Sequence, residues 1–127
     1  MELMNKRVPV AEDDRFLRQA CEAGLRHLGL TVLTAGDGER AVNVARSQPL
    51  DLILLDLLMP KLRGIEVLRV IRSEESTRSV KVLILTNSSH EEDANEARQL
   101  GIDGYYVKAN LSLEKLGNEV KQLLFGE

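Results

Sequence analysis

Apolar positions along this chain alternate between short continuous runs and stretches spaced three or four residues apart, the two signatures of buried strands and amphipathic helices. Residues 8–11 read as a first strand, although Pro9 lacks a backbone donor and is awkward in a central strand. From Asp14 onward, Phe16, Leu17, Ala20, Cys21, Gly24, Leu25 and Leu28 recur at helical spacing, and Gly29 supplies a stop. Residues 30–34 are apolar and β-branched, Gly36, Asp37 and Gly38 make a turn, and Ala41, Val42, Val44 and Ala45 mark a second helix closed by Pro49. Residues 51–55 form a nearly uninterrupted apolar strand ending at Asp56. After a loop punctuated by Met59-Pro60 and Gly64, Ile65, Val67, Leu68 and Ile71 predict a third helix, and residues 80–85 a buried strand. Ala94, Ala97 and Leu100 give a weaker fourth helix ending at Gly101; residues 105–107 form a short strand. Leu113, Leu116, Val120, Leu123 and Leu124 give the last helix, with Ser112 as its cap and Glu114 in its first turn.

Five strands alternating with five helices predict an α/β fold, a parallel sheet covered on both faces through right-handed crossovers. Such sheets bind ligands beyond the C-terminal ends of their strands. The residues at those ends are Glu12, Asp13, Asp56, Thr86 and Lys108.

Composition narrows the chemistry. A chain of 127 residues fits one domain, and 43% hydrophobic with 29% charged residues is a globular balance. With 17 basic and 20 acidic residues interspersed, a net charge of −3, no Trp and two each of Tyr and Phe, neither a basic stripe nor an aromatic platform is offered to nucleic acid. The single cysteine, Cys21, excludes an internal disulfide and lies on the apolar stripe of the first helix, so it reads as a core residue. No signal-peptide pattern or membrane-length apolar run is present, and a cytoplasmic location is expected.

Glu12, Asp13 and Asp14 follow the first strand, where a nucleotide-binding fold would carry a glycine-rich phosphate loop. Were Glu12, Asp13 and Asp56 to converge within about 5 Å, each like-charge pair would cost on the order of 3 kcal/mol at an effective dielectric near 20. A hard divalent cation, Mg²⁺, offsets such repulsion through oxygen ligands and can bridge to a phosphate. Asp56, emerging from an apolar strand, is a candidate nucleophile toward phosphorus. The hydroxyl of Thr86 and the ammonium of Lys108 are suited to phosphoryl oxygens. Each feature alone is better read as a solvated loop, a helix cap (Asp14), a turn threonine or a surface lysine; their coincidence at strand ends is what carries weight.

These residues together resemble the receiver domain of bacterial response regulators, of the chemotaxis-regulator type: Glu12-Asp13, Asp56, Met59-Pro60 with Gly64, Thr86, and Lys108 with Tyr105 three positions before it. The resemblance covers about residues 6–125. It implies a flavodoxin-like, doubly wound (βα)5 sheet of order 2-1-3-4-5. It further implies Mg²⁺ ligated by Asp13, Asp56 and the backbone carbonyl of Leu58, with Glu12 acting through water. Asp56 would take a phosphoryl group from a histidine kinase or phosphotransfer protein, and Thr86 and Lys108 would bind phosphoryl oxygens. Movement of Thr86 and Tyr105 would then remodel the face of the fourth helix, fifth strand and fifth helix, which a downstream protein effector reads. The expected module is a stand-alone receiver, monomeric or weakly dimeric, that catalyses only its own phosphorylation and dephosphorylation.

Some residues depart from that pattern. Lys108 is followed by Ala109 where the family has a cis-bonded proline; a cis bond here would cost about 2.5 to 4 kcal/mol, so either the bond is trans in a rearranged loop or the loop bears that strain. Asn87 replaces a small residue and either crowds a phosphoryl group or donates to it. Leu58 and Ser88 offer no group to orient an attacking water, which leads to an expectation of slow dephosphorylation. Lys61, Leu62 and Arg63 also differ from the usual loop. His27 and His90 read as surface residues. Two rivals remain: a phosphorylation-independent interaction module, motivated by Pro9, Asn87 and Ala109, and an aspartate-nucleophile phosphohydrolase, which would need an acid at position 58 where Leu58 stands.

Overall fold

The computed structural model describes residues 6–87 and 91–126. The element order is β1 (Val10–Ala11), α1 (Arg15–His27), β2 (Thr34–Ala35), α2 (Gly38–Ser47), β3 (Leu52–Leu55), α3 (Gly64–Ser73), β4 (Lys81–Thr86), α4 (Glu91–Leu100), β5 (Gly104–Val107) and α5 (Leu113–Phe125), with a 3₁₀ turn at Lys108–Asn110. All strand pairs are parallel and the sheet order is β2-β1-β3-β4-β5: the alternation is the one the sequence pattern predicts and the order the one the resemblance implies. Ser88 and His90, singled out above, lie outside the described residues.

Side chains of successive strand residues point to opposite faces, and the core divides accordingly. Val8, Val10, Leu52, Leu54, Leu83 and Leu85 pack with Cys21 and Leu25 of α1 and Leu116 and Val120 of α5. Ala11, Ile53, Leu55, Val82 and Ile84 pack with α2, α3 and Ala97 of α4. The helix ends follow local chemistry. Asp14 accepts from the amides of Phe16 and Leu17, Ser112 accepts from Lys115, and Gly29 and Gly101 turn the chain at φ 93° and 99°.

Three expectations are corrected. Phe16 is 82% exposed: once Asp14 caps the helix, the inward stripe is Leu17, Cys21 and Leu25, and Phe16 falls about 100° away from it. Leu113, at the start of α5, is likewise 48% exposed. The second strand pairs at Thr34–Ala35 rather than over residues 30–34, of which only Thr31 forms a separate parallel bridge, to Arg7.

Pro9 explains why the central strand β1 is short. Its carbonyl accepts from Leu54 N and that of Arg7 from Asp51 N, so donors three residues apart in the β3 segment face acceptors two apart. The segment therefore accommodates one extra residue beside the proline, as a bulge does. On the β2 side the register is kept across the proline, the Val8 and Val10 amides donating to Thr31 and Leu33, although the ladder itself is interrupted there.

Cys21 is 2% exposed, and its thiol is pushed up to about 11 by burial and by the nearby charge of Glu12, with Lys108 acting in the opposite direction. At pH 8 the folded protein should alkylate with iodoacetamide at least about 100-fold more slowly than the urea-unfolded chain; comparable rates would show that this thiol is accessible. No helix among the described residues is long and apolar enough to cross a membrane.

Candidate functional site

Sheet register assembles the site. Ala11, Leu55, Ile84 and Tyr105 lie in one row across β1, β3, β4 and β5. Glu12 and Asp56 come one residue past that row, Thr86 two and Lys108 three, so residues remote in sequence meet at one edge of the sheet.

The carboxylates converge as the sequence suggested: Glu12, Asp13 and Asp56 each offer an oxygen, all within 4.8 Å of one another. Glu12 and Asp56 are 3% and 2% exposed, whereas Asp13 is exposed. Lys108 turns in among them, its Nζ 2.8 Å from Asp56 Oδ2 and 2.6 Å from Glu12 Oε1. The other Asp56 oxygen, Oδ1, accepts from the backbone amide of Leu58 at 3.0 Å. Part of the repulsion assigned above to a metal is thus offset by this ammonium, yet three carboxylates against one cation leave the cluster net negative.

Burial drives the Glu12 carboxyl up to about 7; hydrogen bonds from Lys108 and the Asp14 amide oppose the rise, and the charge of Asp56 adds to it. Lys108 loses hydration too, but its hydrogen bonds to Asp56 and Glu12 outweigh that loss and raise its pKa.

The Lys108–Ala109 bond is trans, since no cis peptide occurs among the described residues, and Lys108–Asn110 forms the 3₁₀ turn. The lysine reaches both carboxylates from this trans-bonded turn. Thr86 is fully buried at the end of β4; alternation from Val82 and Ile84 directs it toward the face covered by α2, α3 and α4. Tyr105 packs partly on that same face, with the Arg98 guanidinium 5.2 Å from its ring centroid. Asn87 and Leu58 are exposed, as is His27.

Two supports escaped sequence reading. Arg18 donates to the carbonyls of Glu12 at 2.9 Å and Asp13 at 3.3 Å, fixing the β1–α1 turn; nothing in the sequence separates it from a solvated helix arginine. Gly64, quoted above among the residues of the resemblance, allows α3 to begin directly against the backbone of Asp56 and Leu57, a close approach that the sequence did not show.

A sheet of this order with acids after β1 and β3 and a lysine after β5 defines a receiver of the two-component type. The chain belongs to the response regulator receiver domain family, whose model matches residues 8–121. Among its relatives it is 35% identical, over 95% of its length and 49% of theirs, to the alkaline phosphatase synthesis transcriptional regulatory protein PhoP of Bacillus subtilis. The chain spans about half the length of such curated relatives, so the transcriptional role in their names belongs to longer proteins. Among solved structures it is similar to the chemotaxis response regulator CheY4 of Vibrio cholerae, with 28% identity, a TM-score of 0.85 and coverage of 94% of this chain and 98% of that one. It is also similar to the receiver domain of the sensor histidine kinase PA1611 of Pseudomonas aeruginosa, solved with a magnesium ion coordinated in its active site cleft. That match has 31% identity, a TM-score of 0.83 and coverage of 96% and 98%.

Proposed function

We propose that the chain is a phospho-accepting switch in which Asp56 takes a phosphoryl group from a phosphohistidine on a histidine kinase or phosphotransfer protein. The observation that carries this reading is the juxtaposition of a buried Asp56 carboxylate with the Lys108 ammonium and two further carboxylates. An Asp56 oxygen attacks phosphorus as the phosphorus–nitrogen bond of the donor breaks, leaving an acyl phosphate on Asp56 and a free imidazole on the donor. Lys108 follows the charge from the carboxylate to a phosphoryl oxygen, and the Thr86 hydroxyl donates to another.

The donor set of three carboxylate oxygens fits a hard cation. Asp13, Asp56 and the Leu58 carbonyl would hold Mg²⁺, with Glu12 acting through water; the ion, when bound, supplies positive charge to phosphoryl oxygens as they approach the acidic cluster. Output is a shift in population in which Thr86 and Tyr105 move and protein effectors read the α4–β5–α5 face. No direct role in nucleic acid binding is assigned, and self-association is at most weak. The domain is one receiver unit, working in the cytoplasm and catalysing only its own phosphoryl transfers, with slow dephosphorylation because Leu58 cannot orient a water.

Incubation with Mg²⁺ and acetyl phosphate should add one phosphoryl mass; the adduct should be absent with chelator and in Asp56→Asn. No adduct, together with no binding of Mg²⁺ and beryllofluoride, would overturn the reading in favour of an interaction module. Asp13→Asn removes one like charge from an exposed position. In metal-free buffer it should stabilise the fold by about 1 kcal/mol, screening keeping the gain small, while weakening Mg²⁺ affinity. Urea titrations with and without Mg²⁺ check both effects, and destabilisation in chelator would contradict net repulsion in the cluster.

A further inference from the structure

The fourth helix is held differently from its neighbours. It fully buries only Ala94 and Ala97, with Leu100 packed partly buried at its end, whereas α3 buries Ile65, Val67, Leu68 and Ile71. Two alanine methyl groups and one half-buried leucine provide less apolar anchorage than four buried aliphatic side chains. Three arginines projecting from the α3 segment supply the rest. Arg63, just before α3, donates to Asp93 in the first turn of α4 at 2.8 Å, and the Asp93 side chain is only 13% exposed. Arg69 makes a two-pronged pair with Glu96, one bond being 2.6 Å. Arg72 donates twice to the carbonyl of Gly101, directly after α4, at 3.0 and 2.8 Å. These contacts run from the first turn of α4 to its end, and Arg63 belongs to the loop that leads from Asp56 into α3.

We propose that the ion pairs Arg63–Asp93 and Arg69–Glu96 form an electrostatic strap that holds α4 in its resting position against α3 and so sets the threshold of the switch. This inference rests on the phospho-switch reading and specifies its regulation. An apolar anchor would be insensitive to ionic strength; a strap of half-exposed guanidinium groups is weakened by salt. Arg98 of α4 stacks on the ring of Tyr105, so the proposed movement of Tyr105 would shift α4 and break the strap, and every increment of strap energy would then lower the apparent affinity for the ligand that stabilises the switched state.

The test uses the whole chain with Mg²⁺ and beryllofluoride as the phosphoryl mimic, read by calorimetry together with amide hydrogen exchange over α4. Arg63→Gln with Arg69→Gln should tighten beryllofluoride binding by about three- to tenfold and speed α4 exchange, leaving Mg²⁺ affinity unchanged. Raising salt should tighten wild-type binding in the same direction and have much less effect on the double variant. The swap Arg63→Asp with Asp93→Arg should return both readouts toward wild type. Glu96→Gln, a milder change, should give an intermediate effect and guards against misfolding of the double variant. Wild-type affinity and α4 exchange in both Arg63→Gln/Arg69→Gln and Glu96→Gln would overturn the strap while leaving the switch intact. Failure of the wild type to bind the mimic would instead overturn the phospho-switch reading, and the regulatory role with it.

Discussion

Gly64→Ala is expected to destabilise the domain by about 3 kcal/mol and to abolish most phosphoryl acceptance at Asp56. A Cβ at Gly64 would stand 2.0 Å from the Asp56 carbonyl oxygen and 2.5 Å from Leu57 Cα. Both obstacles are backbone atoms, and Gly64 N also donates to Leu57 O at 3.0 Å, so rotamer changes cannot relieve the overlap. The chain would have to open between β3 and α3, moving the Leu58 amide that holds Asp56 Oδ1. The loss therefore combines stability and function. Urea unfolding compares the two proteins, and adduct formation per folded molecule separates a displaced Asp56 from mere unfolding. A variant as stable as wild type would show that the approach of α3 to this loop is looser than described.

Lys108→Met should be the second severe change: about 3 kcal/mol lost in metal-free buffer at pH 8, and adduct formation slowed on the order of 100-fold. The lysine side chain is 15% exposed and is hydrogen-bonded to both buried acids, so its removal leaves Glu12 and Asp56 facing each other. The pH dependence has a definite sign. Folding raises the Glu12 carboxyl from 4.5 to about 7, so the stability linked to its protonated form is fully present below 4.5 and lost as pH rises through about 7. Lys108, raised above its ordinary 10.5, contributes stability below that value which is lost as pH rises through its folded value. Without Lys108, which helps keep Glu12 ionised, the carboxyl shifts higher still. The deficit should therefore be smaller at pH 6, where Glu12 takes up a proton, than at pH 8, and Mg²⁺ should recover part of it. Equal deficits at both pH values would show that the lysine acts through packing alone.

Much of this molecule was legible from local sequence. Apolar runs of strand length located the first, third and fourth strands because a sheet covered on both faces must be apolar there, while the second pairs later than its apolar run; Asp14 and Ser112 marked helix starts because their side chains satisfy free amides within a few residues. The alternation of elements implied the parallel sheet, and its open edge pointed to Glu12, Asp13, Asp56, Thr86 and Lys108.

The tertiary structure decided what depends on neighbours distant in the chain. Lys108 lies 52 residues from Asp56, and only the placement of β5 beside β4 turns an otherwise unremarkable lysine into the counter-ion of two buried acids. Phe16 left the core because helix phase is set by its cap, and Pro9 is tolerated because the segment opposite it carries an extra residue. By sequence alone Arg63 is an ordinary loop residue, and Arg69 and Arg72 are ordinary helix residues. Their role exists because α4 has too little apolar surface to anchor itself, a balance between packing and charge that no local pattern encodes.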